Sequence, residues 1–190
     1  MKTPIGDYFS GYNDLVHELA DELNKEVAPL TFKNQEIKVN TEGYDEFFNA
    51  LPHLFRNCVY HGIENPLDRE EKSKESSGHI DVKFDVFVEK NKTSLKIVVS
   101  DDGAGIDTER IREKLIEIGN PEALSMTEQD LVYQIFTANI STVNGKDNVA
   151  GRGVGMHAVK VAVENLKGKV DVKTVKDEGT EFTFVLPLVG

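Results

Sequence analysis

Apolar residues recur at helical spacing early in the chain. In residues 11–26, GYNDLVHELADELNKE, Leu15, Leu19 and Leu23 share one stripe, with Val16 beside the first. That pattern predicts an amphipathic helix, and Pro29 is expected to stop it. LTFKNQEIKV then reads as one or two strands. A second helix is predicted near 44–61, burying Phe47, Phe48, Leu51, Leu54, Phe55 and Cys58. Residues 64–78, ENPLDREEKSKESSG, are polar and read as loop. Beyond them the period changes to two. IDVKFDVFVEK and SLKIVVSD predict a hairpin joined by Asn91–Thr93. Helices follow over 107–118 and near 127–136, then a Gly/Asn-rich segment, STVNGKDNVAG. A further helix begins after GRGVG and ends at Gly168. KVDVKTVKD and TEFTFVLPL predict a closing hairpin around Glu178–Gly179. Strands grouped in hairpins with helices between them predict an α+β fold. The expected form is a two-layer α/β sandwich, its mixed or antiparallel sheet covered by helices on one face. No internal repeat is visible.

Composition narrows the class. The chain has 190 residues, 39% apolar and 29% charged, which fits one soluble globular domain with a proper core. No apolar run reaches the roughly 18 residues of a membrane span, and the N-terminus lacks the apolar core of a signal peptide. The single cysteine, Cys58, excludes an internal disulfide and points to a cytoplasmic location. A net charge of −11 repels nucleic acid and anionic lipid, so neither is an expected partner. A nucleotide bound against that field needs backbone N–H groups, local cations and Mg2+.

Three motifs carry candidate chemistry. AGRGVGMHAVKVAVENLKG places Gly151, Gly153 and Gly155 before a helix, a ready anion site. It lacks the Lys-Ser/Thr of a P-loop, and Met156 stands where a dinucleotide fingerprint needs a small residue. Alone it reads equally well as a tight turn. DDGAGID, 101–107, follows a strand. Asp101 at the strand end, beside Gly103 and Gly105, suits an exocyclic amino group on a flat base. The plain alternative is an Asp-Gly turn, and an EF-hand is excluded by spacing. HLFRNCVYHG, 53–62, puts His53, Asn57 and Tyr60 or His61 on one helical stripe, apart from Phe47, Leu51, Leu54 and Cys58. That stripe is either solvated or a site. An Asn oxygen suits Mg2+ carrying phosphates. A zinc reading is weak, because His53 and His61 stand eight apart and Cys58 lies on the other stripe.

The order of these motifs, with Gly179-Thr180 between the last strands, resembles a known family. It is similar to the ATP-binding domain shared by gyrase, Hsp90, sensor histidine kinases and MutL, the Bergerat or GHKL fold. Within it, HLFRNCVYHGIE, DDGAGID, GRGVGM and GTEFTFVLPL look like the catalytic domain of CheA chemotaxis kinases. ELADELNKEV resembles the end of that family's dimerisation helix. The resemblance implies a linker over 1–28 and an ATP-binding catalytic domain over 29–190. It implies ATP and Mg2+ as cofactors, with Asn57 the metal ligand, His53 a general base or water organiser, and His61 a second polar residue near the phosphates. Asp101 would read adenine, with Gly103 and Gly105 as its turn, and Thr180 would support that pocket. Gly151, Gly153 and Gly155 would hinge a lid over 137–150. Ser141, Thr142, Lys146, Arg152, Val154 and Met156 are carried over as nucleotide-contacting positions. The implied reaction moves the γ-phosphoryl group to a histidine on a separate phosphotransfer domain, and a response regulator is the further partner. A homodimer would form through upstream helices.

Departures from the family pattern stand at defined positions. Tyr60 occupies a usual Asp. FTANISTVN puts Asn139 and Val143 where Gly and Lys are usual, leaving Lys146 or Arg152 to supply a cation. His157 replaces an acidic residue. His17, in HELADE, lacks the following Pro of an acceptor motif and reads as a solvated helix residue. These features imply a fragment of a longer kinase. They also keep open a nucleotide-sensing module with little turnover, and an anti-sigma-type serine kinase.

Overall fold

A computed structural model describes residues 2–137 and 155–188. Its centre is a five-stranded mixed sheet in the order β2-β4-β5-β7-β6. Here β2 is Thr31–Lys33, β4 Ile80–Glu89, β5 Lys92–Asp101, β6 Lys169–Val175 and β7 Gly179–Pro187. β4, β5, β7 and β6 pair antiparallel, whereas β2 lies parallel to β4. Period-two alternation puts Ile80, Val82 and Phe84, Leu95, Ile97 and Val99, and Phe182, Phe184 and Leu186 on one buried face. The helices needed to cover that face are α1 (Tyr12–Glu22), α2 (Asp45–Asn57) and α6 (Met156–Asn165). Tyr12, Val16, Phe47, Leu51, Leu54, Phe55, Val159 and Val163 join the strands in one core. α4 (Thr108–Glu117) and α5 (Glu128–Tyr133) close a smaller cluster of Ile111, Leu115, Ala123 and Leu131.

The first 28 residues share the main core. Phe9 is fully buried, with ring contacts to Tyr12, Phe48, Phe55 and Phe84. Ahead of it β1 (Thr3–Pro4) pairs with β3 (Lys38–Val39), a ribbon the hydrophobic pattern does not reveal because each strand has two residues.

Four local expectations need correction. α1 stops at Glu22, well before Pro29, because Asn24 turns left-handed (φ 52°) and Lys25 N–H caps back to the Ala20 carbonyl. The 64–78 segment is not all loop: α3 spans Pro66–Glu71. Asn65 accepts from Asp68 N–H and Pro66 presets the first turn, a start signal hidden by the polar composition. The central hairpin turns at Lys90–Asn91, not Asn91–Thr93; both residues have positive φ, as a two-residue loop matching strand twist requires. His17 is half-buried rather than freely solvated, and its Nδ1 bonds the Asn13 carbonyl at 2.7 Å.

Candidate functional site

β5, the middle strand, ends at Asp101 between Ile80 of β4 and Thr180 of β7. The Asp101 side chain is buried, 8% exposed. Its Oδ1 accepts from Gly103 N–H at 3.0 Å. The Cys58 thiol and the Thr180 backbone N–H donate to the same carboxyl. Burial pushes its pKa up to about 6. The three hydrogen bonds pull down, and the Asp102 charge adds to the rise. The Cys58 thiol is in turn pushed well up by its own burial and then by the Asp101 charge.

Two glycines allow the close packing around this carboxylate. A Cβ on Gly62 would lie 2.9 Å from Asp101 Oδ1, and one on Gly103 would lie 2.2 Å from the Gly62 carbonyl carbon. Gly62 and Gly103 therefore pack backbone to backbone, tied by Ala104 N–H to the Gly62 carbonyl at 2.8 Å. The turn is tied on its other side as well. Asp177 N–H reaches the Ala104 carbonyl at 2.9 Å, and Ile106 N–H donates to Thr174 Oγ1 at 2.8 Å. Thr174 Oγ1 donates to the Gly179 carbonyl and lies 3.3 Å from Thr180 Oγ1. Thr180 thus stands beside Asp101, linked to the turn through Thr174.

A buried ion network backs the same turn. The Arg69 guanidinium, 1% exposed, forks onto Asp102 with Nη2–Oδ2 at 2.8 Å and Nη1–Oδ1 at 3.2 Å, and pairs with Glu64 at 3.2 Å. Its remaining N–H groups reach the carbonyls of Glu75 and Ser77. Lys74 Nζ donates to the carbonyls of Asp102 (2.8 Å) and Gly103 (2.7 Å) and to Glu64 Oε1 (3.0 Å). His79 N–H donates to Asp102 Oδ1 at 2.8 Å. These partners hold the Asp102 carboxyl below the usual range despite its burial; bonds from Lys74 and Lys72 do the same for Glu64. Glu64, Arg69 and Lys74 do not stand out in the sequence, because ENPLDREEKSKESSG looks like a solvated charged loop.

α2 carries the second group of candidates. His53 and Asn57 lie half-buried on its open stripe, and a π-helical turn, Cys58–Gly62, continues it, with Ile63 N–H bonding the Cys58 carbonyl at 2.7 Å. Such wide turns occur often at functional sites. Here it swings Gly62 under Asp101 and leaves His61 exposed. Tyr60 packs against the core. Lys25 Nζ donates to the carbonyls of Val59 (2.7 Å) and Tyr60 (3.0 Å), capping the turn from the chain's N-terminal part. The His53 pKa is lowered by burial and then by Arg56. His61 is lowered by the atoms that displace water around its ring, then by the charges of Lys25, Arg110 and Lys114. Both imidazoles are thus neutral near pH 7 and able to accept a proton. Among the described residues the Asn57 side chain has no hydrogen-bond partner, leaving its oxygen available to a hard cation that keeps several waters and phosphate oxygens as its other ligands.

At the start of α6, Gly155 is the exposed N-cap, Met156 is buried in the core, and the His157 Nδ1–H donates to the Phe136 carbonyl at 3.0 Å. Ser141, Thr142, Lys146, Gly151, Arg152, Gly153 and Val154 lie outside the described residues, as do Asn139, Val143 and nearly all of the 137–150 segment. The structure therefore brings Asp101, Gly103, Gly105 and Thr180 together at one sheet end, with the turn that follows Asn57 against them. Lys25, Gly62, Arg69 and Lys74 are additions.

Residues 47–190 match the family described as histidine kinase-, DNA gyrase B- and HSP90-like ATPase, and the chain belongs to it. Within that family it is similar to chemotaxis proteins named CheA. It is 37% identical over 188 residues to the chemotaxis protein CheA of Halobacterium salinarum and 34% identical over 193 residues to that of Bacillus subtilis. Each alignment covers 97% of this chain but 27% of the relative, so the chain spans about a quarter of their length. The histidine kinase domain of a blue-light activated kinase from Erythrobacter litoralis shares the fold, at a TM-score of 0.52 and 16% identity. That match covers 97% of this chain and 61% of that one. Among the described residues no helix is long and apolar enough to cross a membrane.

Proposed function

We propose that this chain binds ATP with Mg2+ and transfers the γ-phosphoryl group to a histidine on a separate phosphotransfer domain. From there the group passes to a response regulator in the cytoplasm. The observation that carries the reading is the buried Asp101 carboxylate, held by Gly103 N–H and packed against Gly62, where a side chain would crowd it. A fixed acceptor in an apolar setting favours a base that offers it a donor, such as an exocyclic amino group, over a base that leaves it unpaired. Asn57 would hold the Mg2+, which when bound neutralises charge on the phosphates. His53 and His61, both neutral, would order the reacting groups at the phosphate end and take up the proton lost by the acceptor imidazole. Lys25, Arg110 and Lys114 supply positive potential there against the overall −11. Gly151, Gly153 and Gly155 would let the backbone approach the phosphates. Positioning and electrostatics supply most of the rate of such a transfer. Dimerisation through upstream helices completes the proposed assembly.

The test is phosphoryl transfer in the full-length protein with its acceptor domain, γ-labelled ATP and Mg2+. The expected product is label that is stable in base and labile in acid, as a phosphorus–nitrogen bond is. Acid-stable label on serine would instead identify an anti-sigma-type serine kinase. Nucleotide binding with no transfer would identify a sensing module.

A further inference from the structure

We infer that Lys74 is a positioning residue that sets base selectivity from behind the nucleotide pocket, by fixing the Asp102–Gly103 peptide whose N–H orients Asp101. This inference rests on the reading of Asp101 as the base acceptor.

The argument is geometric. A trans peptide is planar, so its C=O and N–H point in opposite directions. The Asp102 carbonyl and the Gly103 N–H belong to one peptide. Its oxygen receives Lys74 Nζ at 2.8 Å and Arg69 Nη1 at 3.3 Å, and its N–H points to Asp101 Oδ1 at 3.0 Å. Lys74 also takes the next carbonyl, Gly103, at 2.7 Å. All three of its protons are engaged, the third by Glu64 at 3.0 Å. The ammonium thus holds two successive carbonyls on the side away from Asp101, which fixes the donor on the near side. It also polarises that peptide, so the N–H it presents is a stronger donor. Arg69 completes the device by clamping Asp102 in a two-pronged bond, keeping that second carboxylate turned away from the base acceptor. Glu64 orients both cations through separate oxygens, with Lys72 as a third partner at 3.3 Å.

Lys74 is the residue to test. Its removal leaves Glu64 paired with Arg69 and Lys72. Removing Arg69 would instead strand charges in the interior. The measurement is calorimetric affinity for two ligands, ADP and the matching diphosphate of purine riboside, which lacks the exocyclic amino group. Wild-type protein is expected to prefer ADP. In Lys74→Met, ADP affinity is expected to fall about fivefold to tenfold, the effect of losing one oriented hydrogen bond. Affinity for the purine diphosphate should change less than twofold, so that selectivity collapses. Lys74→Arg should restore it. Thermal melting separates this role from a purely structural one. A lowered melting temperature with equal loss for both ligands overturns the inference, as does unchanged selectivity in Lys74→Met. Wild-type protein that fails to discriminate the two ligands overturns the base reading itself, and this inference with it.

Discussion

The two ends of the candidate site are built differently. At the sheet end, Asp101 is bonded by Gly103, Thr180 and Cys58, and the turn behind it is bonded by Lys74, Arg69, Thr174 and Asp177. On α2 and the turn that follows it, His53, Asn57 and His61 are half-buried or exposed, and Lys25 holds the Val59 and Tyr60 carbonyls of that turn. The first end is complete before any ligand arrives. The second offers, among the described residues, an Asn57 side chain without a hydrogen-bond partner, with the charges of Lys25, Arg110 and Lys114 acting on His61. That division suits a bipartite ligand: a flat neutral base needs a fixed hydrogen-bonding edge in a dry setting, whereas a hydrated, metal-bearing phosphate chain tolerates an open one.

The largest expected effect breaks the sheet end. Asp101→Asn replaces the acceptor by an amide that still accepts from Gly103 N–H but presents a donor to the base. ATP affinity is expected to fall about a hundredfold by calorimetry. The fold should suffer little, because removal of the buried charge offsets any bond from Cys58 or Thr180 that the amide nitrogen cannot accept. Holding an ionised Asp101 whose pKa is raised to about 6 disfavours the native state by roughly 3 kcal/mol at pH 8, and the amide removes that charge. A melting temperature at pH 8 equal to or above wild type, together with lost binding, marks a residue kept for function. ATP affinity within fivefold of wild type would show that the sheet end does not read the base.

The helix end should respond more weakly, and only with metal present. Asn57→Ala removes one hard oxygen with no hydrogen-bond partner among the described residues. Its effect is expected on the Mg2+-dependent part of ATP affinity, about tenfold. ADP binding in chelator should stay within twofold of wild type. An equal loss in both conditions would place Asn57 in the packing of α2 and not at the metal.

The same contrast explains what the sequence revealed. The sheet and the helix face were legible because periods of 2.0 and 3.6 residues are stretched over long elements: Ile80, Val82 and Phe84 alternate, and Phe47, Leu51 and Leu54 recur. Asp101 and Asn57 were legible as candidates because their motifs are short and contiguous. Lys74 and Arg69 were not. Their partners lie 28 and 33 residues away, and their charge run looks like any solvated loop until Asn65 and Pro66 start a helix inside it. Gly62 looks in the sequence like an ordinary helix terminator, yet its lack of a side chain is what admits Gly103. Lys25 reads as one charge at a helix end, and only folding shows it capping Val59 and Tyr60. Short range periodicity and contiguous motifs carry the frame. Long-range side-chain bonds to backbone carbonyls leave no periodic trace.

The smallest effect sharpens the contrast within the sheet end itself, where two adjacent carboxylates titrate in opposite senses. Asp101 is raised to about 6 from 3.8, so between those values the native state holds more protons than the unfolded chain. Its contribution to stability therefore grows as pH falls through that window. Asp102 is lowered, chiefly by Arg69 against its burial, so its contribution is present above the ordinary carboxylate pKa and is lost as pH falls further. Binding separates them. Base recognition needs Asp101 ionised, so affinity for adenosine should fall only about twofold from pH 8 to pH 6, the point of half protonation. Adenosine is the right probe because it carries no phosphate to report His53 or His61. Asp101→Asn should abolish the dependence. A midpoint near the ordinary carboxylate value in the wild type would mean that the bonds from Gly103, Thr180 and Cys58 outweigh burial, and that the acceptor is wetter than its 8% exposure indicates.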